Sequence, residues 1–165
     1  YLNLQDDGTR VGKIRSHAAA EMGRIKVRND TGSTLDANDL VYITGTYNDG
    51  TDNYPTVALA VSTQSNGTTK YACGIVESDI ANNADGTIVV LREVSSLDTS
   101  GLTVGAPVWL SDTAGGYETT LDGLDDIDYR TQIVGYVTVV NASTGRILFG
   151  NWHEVPYSIA NEVAD

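Results

Sequence analysis

Apolar and polar positions alternate with a period of two along most of this chain, and helical periodicity is nearly absent. Arg24–Arg28 sets Ile25 and Val27 against Arg24, Lys26 and Arg28. Thr56–Val61 sets Val57, Leu59 and Val61 against Thr56, Ala58 and Ala60. Such alternation marks strands with one face in a core and one in water. Leu40–Thr44, Tyr71–Glu77, Thr87–Val94, Pro107–Ser111, Tyr117–Thr120, Gln132–Val140 and Arg146–Gly150 are further β-rich runs, of which Tyr71–Glu77 and Thr87–Val94 are the most apolar. One helical turn is expected, over Ser16–Met22, with Ser16 as N-cap.

Turn chemistry separates these runs. Asn66-Gly67 is a hairpin signal, Asp49-Gly50, Asp85-Gly86 and Asp122-Gly123 mark further turns, and Asn141–Gly145 reads as the loop joining the last two strands. About nine short strands at this spacing predict an all-β domain, either a sandwich or a barrel.

Two segments match each other 67 positions apart, Ser33–Thr44 and Ser100–Ser111. They share Ser-x-Leu-x-x-(Asn/Gly)-x-x-Val-aromatic-aliphatic-hydroxyl. The Leu anchors a loop, Asn38 or Gly105 occupies a turn position with positive φ, and a strand begins. A second match follows each copy, Cys73-Gly74-Ile75-Val76 with Val134-Gly135-Tyr136-Val137. Glycine inside a strand marks a bulge or a close backbone approach. The core is therefore expected to consist of two related β-units.

The ends differ from the middle. Residues 1–22 are polar with little alternation, and residues 151–165 lie past the last expected strand. The expected organisation is an N-terminal arm (1–22), a β-rich core (23–150) and a C-terminal arm (151–165). Apolar side chains on an extension must bury against something. Trp152, Val155, Tyr157, Ile159 and Val163, with Tyr1, Leu2 and Leu4, are the candidate interface residues, packing either on their own domain or on a neighbouring subunit. The chain opens Tyr1-Leu2-Asn3-Leu4 without an initiator Met, so it reads as a processed chain or as part of a longer one.

Charge narrows the function. Asp and Glu total 22 against 10 Lys and Arg, a net charge of −12 over 165 residues. This opposes phosphate-contacting nucleic-acid binding and adhesion to an anionic membrane. No apolar run approaches the ~20 residues of a membrane-spanning helix.

Catalytic signatures are missing. The single cysteine, Cys73, lies in an apolar run and reads as core, and the two histidines, His17 and His153, stand near opposite ends. Neither a phosphate loop nor a metal-binding His/Cys spacing occurs. No cofactor is expected. The acidic loops (Asp6-Asp7, Asp49 with Asp52, and Asp122 with Asp125, Asp126 and Asp128) are where a structural Ca²⁺ would fit, although none has the spacing of a calcium loop. Tyr47, Tyr54, Tyr117 and Tyr129 lie in or beside loops, where they would serve as sugar platforms or as anchors of long loops.

The stretch from about Arg24 to Asn151 resembles a β-rich structural module of tailed-bacteriophage virion proteins. The resembling pieces are IKVRNDTGSTLDANDLVYITG (Ile25–Gly45), PTVALA (Pro55–Ala60), GIVESDIANNADGTIVVLREV (Gly74–Val94), LDTSGLTVGAPVWLS (Leu97–Ser111) and QIVGYVTVVNASTGRILFGN (Gln132–Asn151). The chain departs from the module at Asn38-Asp39, at Ala106-Pro107 and at Glu93. The resemblance carries over no catalytic residue. It implies a non-enzymatic virion structural protein. The first expectation is a capsid decoration (cement) protein on the phage head. Its partners would be the major capsid protein and copies of itself in a homotrimer. The alternative is a tail-fibre, spike or baseplate module that binds a host-surface glycan.

Overall fold

The alternating stretch that begins at Arg24 forms the first of ten strands in a computed structural model, which describes residues 23–62, 69–120 and 131–155. The strands are β1 (Arg24–Asn29), β2 (Leu40–Asn48), β3 (Asn53–Leu59), β4 (Gly74–Val76), β5 (Ala84–Val89), β6 (Arg92–Leu97), β7 (Pro107–Leu110), β8 (Tyr117–Glu118), β9 (Thr131–Val139) and β10 (Gly145–Val155). The described residues are all-β. The first five strands form a closed barrel in the order β1-β3-β2-β4-β5, and the last five a curled sheet in the order β6-β10-β9-β7-β8.

The two sheets have the same topology. Strands β6 to β10 follow β1 to β5 one for one, and each antiparallel pair in the barrel has its counterpart in the curled sheet: β1/β5 with β6/β10, β2/β3 with β7/β8, β2/β4 with β7/β9, and β4/β5 with β9/β10. Only the closing pair differs. In the barrel β1 and β3 run parallel, with Arg28 opposite Thr56 and Asn29 opposite Val57. The corresponding β6 and β8 form the two edges of the second sheet. The expected pair of related units is thus realised as a closed copy followed by an opened one.

Equivalence extends to single hydrogen bonds. Asn38 N–H donates to Val76 O at 3.0 Å, and Gly105 N–H to Val137 O at 2.8 Å. Val76 N–H returns to Asp39 O, and Val137 N–H to Ala106 O, both at 2.9 Å. The ladder register agrees as well. Leu40 faces Ile75 and Val41 faces Gly74, as Pro107 faces Tyr136 and Val108 faces Gly135.

Two cores follow from the strand alternation. Val27, Leu35, Val41, Val57, Val76, Ile80 and Ile88 fill the barrel. Their neighbours Leu40, Ile75 and Val89 point outward and pack, with Ala60 and Ala72, against Val94, Val108, Leu110, Val134, Val137, Ile147 and Phe149 of the curled sheet. The concave face of the second unit is therefore filled by the outside of the first. Gln132 adds a polar clamp across this contact. Its buried amide accepts from Ala72 N–H at 2.7 Å and donates to Ala72 O at 2.8 Å.

Several boundaries differ from expectation. The apolar run Thr87–Val94 is two strands, because the chain leaves the barrel at Val90-Leu91 to enter the second sheet. Asp85-Gly86 is not a turn but lies within β5, opposite Arg28 and Val27. A Cβ on Gly86 would lie 2.4 Å from the Ile80 side chain, so the glycine makes room in the core. The turn falls instead at Asn82-Asn83, with Asn83 at φ 60. Strand β10 continues five residues past Gly150, through a register shift between Phe149 and His153, so the segment to Val155 belongs to the sheet. The expected turn at Ser16–Met22, the Asn66-Gly67 hairpin and the Asp122-Gly123 turn lie outside the described residues.

Candidate functional site

The candidate interface residues divide. Trp152 lies in β10, half-buried against the second core, and its indole N–H donates to Val90 O at 2.8 Å. It therefore packs on its own domain. Val155 ends β10, opposite Thr131. Tyr1, Leu2, Leu4, Tyr157, Ile159 and Val163 lie outside the described residues.

The loop tyrosines are covered rather than displayed. Tyr54 is only 6% exposed, its hydroxyl donates to Asp85 at 2.7 Å, and Lys26 Nζ lies 3.7 Å from its ring centre. Tyr47 packs edge-on to Tyr54 at 5.6 Å and carries the Arg28 guanidinium 4.1 Å above its ring. Tyr117 sits edge-on to Phe149 at 5.2 Å, and burial raises its pKa. These three rings are anchors, not sugar platforms. Tyr129 lies outside the described residues.

Sequence reasoning missed the cluster that covers Tyr47 and Tyr54. Lys26 and Arg28 alternate with Val27 on β1, which points both outward from the barrel. Asp85 on β5 lies opposite Arg28 and accepts from it at 3.1 Å, while Lys26 approaches Asp85 at 3.2 Å and Asp49 at 3.7 Å. Arg28 also pairs with Asp30 at 2.8 Å. The Tyr54 hydroxyl, helped by Lys26 and Arg28, holds the Asp85 carboxyl below its ordinary value. Lys26 loses some water, which lowers its pKa, but its bonds to Asp85 and Tyr54 outweigh that and raise it overall. The signal was available: three of the chain's ten Lys and Arg residues occupy alternate positions of this one strand. Cation–π pairs and exposed ion pairs of this kind tie β1, β2, β3 and β5 together across the barrel wall, with the ion pairs screened by solvent.

The acidic loop of the β2–β3 hairpin is a turn device. Asp49 Oδ1 accepts from Thr51 N–H and Asp52 N–H at 2.8 Å each, which lowers its pKa. No grouping of three or more His, Cys, Asp or Glu able to hold a metal occurs among the described residues. The loop with Asp122, Asp125, Asp126 and Asp128 lies outside them, as do Asp6-Asp7 and His17. Cys73 is half-buried beside the barrel core, and burial pushes its thiol up. A shallow hollow of ≈ 290 Å³ beside β3 is lined by Thr31, Ser33, Thr34, Leu35, Ala58 and Leu59, with no charged or nucleophilic pair in its wall.

The exposed large hydrophobic side chains are unevenly placed. Among the described residues seven large hydrophobic side chains are exposed. Ile43 is in the barrel, and the other six belong to the second unit or to the Val90-Leu91 turn leading into it.

No protein family matches this chain, and no curated protein does. Among solved structures, the chain is similar to the head fiber gp8.5 N base in bacteriophage phi29. The two are 12% identical with a TM-score of 0.43, over 81% of this chain and 98% of that one.

Proposed function

We propose that this chain is a non-enzymatic structural protein of a tailed-phage virion, acting as a capsid decoration protein that binds the major capsid protein and further copies of itself. The observation that supports this most directly is where the resembling sequence falls. Its pieces coincide with the repeated frame: the positive-φ turn and second strand of each unit (Asn38 into β2, Gly105 into β7), the Gly-containing strands β4 and β9, and the final hairpin β9–β10. The resemblance thus follows the fold-determining elements of both units rather than one local stretch.

The surface is compatible with a purely mechanical role. Among the described residues, Lys26, Arg28, Asp49, Asp85 and Asp98 are tied into ion pairs or turns, and Tyr117 and Cys73 into core packing. Association through burial and hydrogen bonding needs no more than this. The covered state of Tyr47, Tyr54 and Tyr117 weighs against the glycan-binding alternative.

The test is co-sedimentation of the purified chain with empty heads and, separately, with isolated tails of the phage that encodes it. Saturable binding to heads, with a higher rupture temperature, is the expected result. Binding to tails alone would replace this reading with the tail-fibre or baseplate one.

A further inference from the structure

The internal repeat identifies an interaction face on the second unit. In the barrel, Leu40, Ile75 and Val89 form one row across β2, β4 and β5, with Tyr42 two residues along from Leu40. This row is buried against the curled sheet. Its equivalents, by the shared register, are Pro107, Tyr136 and Leu148 across β7, β9 and β10, with Trp109 in the place of Tyr42. The equivalent row looks outward. Tyr136 is 36% exposed and Leu148 37% exposed, while Pro107, Trp109 and Ile133 are half-buried. The face that joins unit one to unit two is therefore repeated, apolar and exposed, on the back of unit two.

We propose that this face is where a second copy of the chain docks, back to back. A second copy cannot receive it as unit two receives unit one, because its own concave sheet is already filled by its own barrel. It can present the same outer face, in a two-fold contact where each patch meets itself. Charge favours this place. The chain carries −12 overall, yet this face ends in the opposite charges Glu93 and Arg146, which lie 3.3 Å apart. Glu93 also continues the row itself, opposite Leu148. A locally neutral, self-complementary rim lets two acidic chains approach here. Trp and Tyr at the centre with a charged rim is the composition of a contact core. Four strands spaced ~4.8 Å apart give a face on the order of 20 Å across, which is small for a stable dimer. The association is accordingly weak and concentration-dependent. The proposal deepens the virion-structural reading by naming a surface through which copies meet; residues 1–22 and 156–165 of the expected arms lie outside the described residues.

Sedimentation equilibrium of the full chain over a wide concentration range tests it, with circular dichroism to verify folding. The mass is expected to rise from one chain toward two. Leu148→Glu or Trp109→Glu should hold it at one chain, while Ile43→Glu on the barrel should leave the rise intact. Two milder variants guard against misfolding. Glu93→Arg alone and Arg146→Glu alone should each stay monomeric, and their mixture should associate. A single-chain mass at every concentration overturns the proposal. So does association that survives Leu148→Glu, whether the mass is that of two chains or three. Neither result bears on head binding, which the co-sedimentation measures separately.

Discussion

Asn38 and Gly105 are the same position in two copies of one unit: φ is 77 at the first and 82 at the second, and each amide donates to the fourth strand of its own unit, β4 or β9. Only Gly, and to a lesser degree Asn, adopts this conformation without steric cost. Neither residue is there for chemistry. Each turns the chain from an anchored loop into the second strand of its unit. Substituting Val at either site should cost about 1–2 kcal/mol in urea unfolding, and Asn38→Gly should cost little or nothing. Equal losses for Asn38→Val and Asn38→Gly would refute the equivalence.

Gly74 and Gly135 are also equivalent, but their surroundings differ in what can yield. A Cβ on Gly135 would lie 2.5 Å from Leu148 O and 3.1 Å from Phe149 Cα, both backbone, whereas one on Gly74 would meet Ile88 Cδ1 at 2.8 Å. A side-chain end can rotate away, and a paired strand cannot. Gly135→Ala should cost about 3 kcal/mol or more, and Gly74→Ala about 1–2 kcal/mol. Thermal unfolding of the two variants side by side checks the order.

Gln132 carries the buried polar link between the units. Replacing it by Leu keeps the volume but strands the N–H and C=O of Ala72, 3% exposed, without partners. An expected loss of about 2–4 kcal/mol follows from leaving two buried backbone groups unsatisfied. Gln132→Glu should be worse than Leu at neutral pH and improve on acidification, since a protonated carboxyl can again both donate and accept. Unfolding of both variants at two pH values measures this.

Acid sensitivity should come from three hydrogen-bonded carboxylates, two on the barrel and one just past β6. Asp85, Asp49 and Asp98 all titrate below the ordinary 3.8, held down chiefly by the Tyr54 hydroxyl, by backbone amides of the β2–β3 turn, and by Ser100 respectively. A carboxyl with a depressed folded pKa stabilises above its unfolded value, and that contribution is lost as pH falls through the folded one. Asp39 works in the opposite sense: burial raises its pKa, so its charge opposes folding at neutral pH and protonation relieves it. The urea midpoint should hold or rise slightly as pH drops toward about 4, then fall. Asp85→Asn should lower the neutral-pH midpoint and flatten the acid limb. An unchanged acid limb in that variant would show that the cluster contributes nothing to folding.

Much of this architecture was legible because strand alternation and turn chemistry are local. The repeat was visible in Ser33–Thr44 and Ser100–Ser111, and its turn positions were read correctly. The break at Val90-Leu91 was not visible, because both residues are apolar and continue the run from Ile88 and Val89, and the polar pair Arg92-Glu93 follows only once the next strand has begun. The end of β10 was misread at Gly150, whose φ of 147 bends the strand without ending it. The choice between sugar platform and loop anchor stayed open for the tyrosines because only the folded register brings Lys26 and Arg28, distant in sequence, over their rings. The outward row of Pro107, Tyr136 and Leu148 needed the ladder, which alone reveals its kinship with Leu40, Ile75 and Val89.

The closed first copy and the open second copy impose a direction on how the chain is made. Strands β1 to β5 complete their own ring from residues that leave the ribosome first, so they need nothing downstream to finish a core. Strands β6 to β10 cannot do the same, since their hollow side has no filling until a finished barrel lies within reach. Domains that emerge N-terminal first fold first during synthesis, and here the earlier product is the mould on which the later one is shaped. Exchanging the order of the two halves in the gene would make the ribosome deliver the shell before its filling, leaving an apolar hollow exposed for as long as translation of the barrel takes.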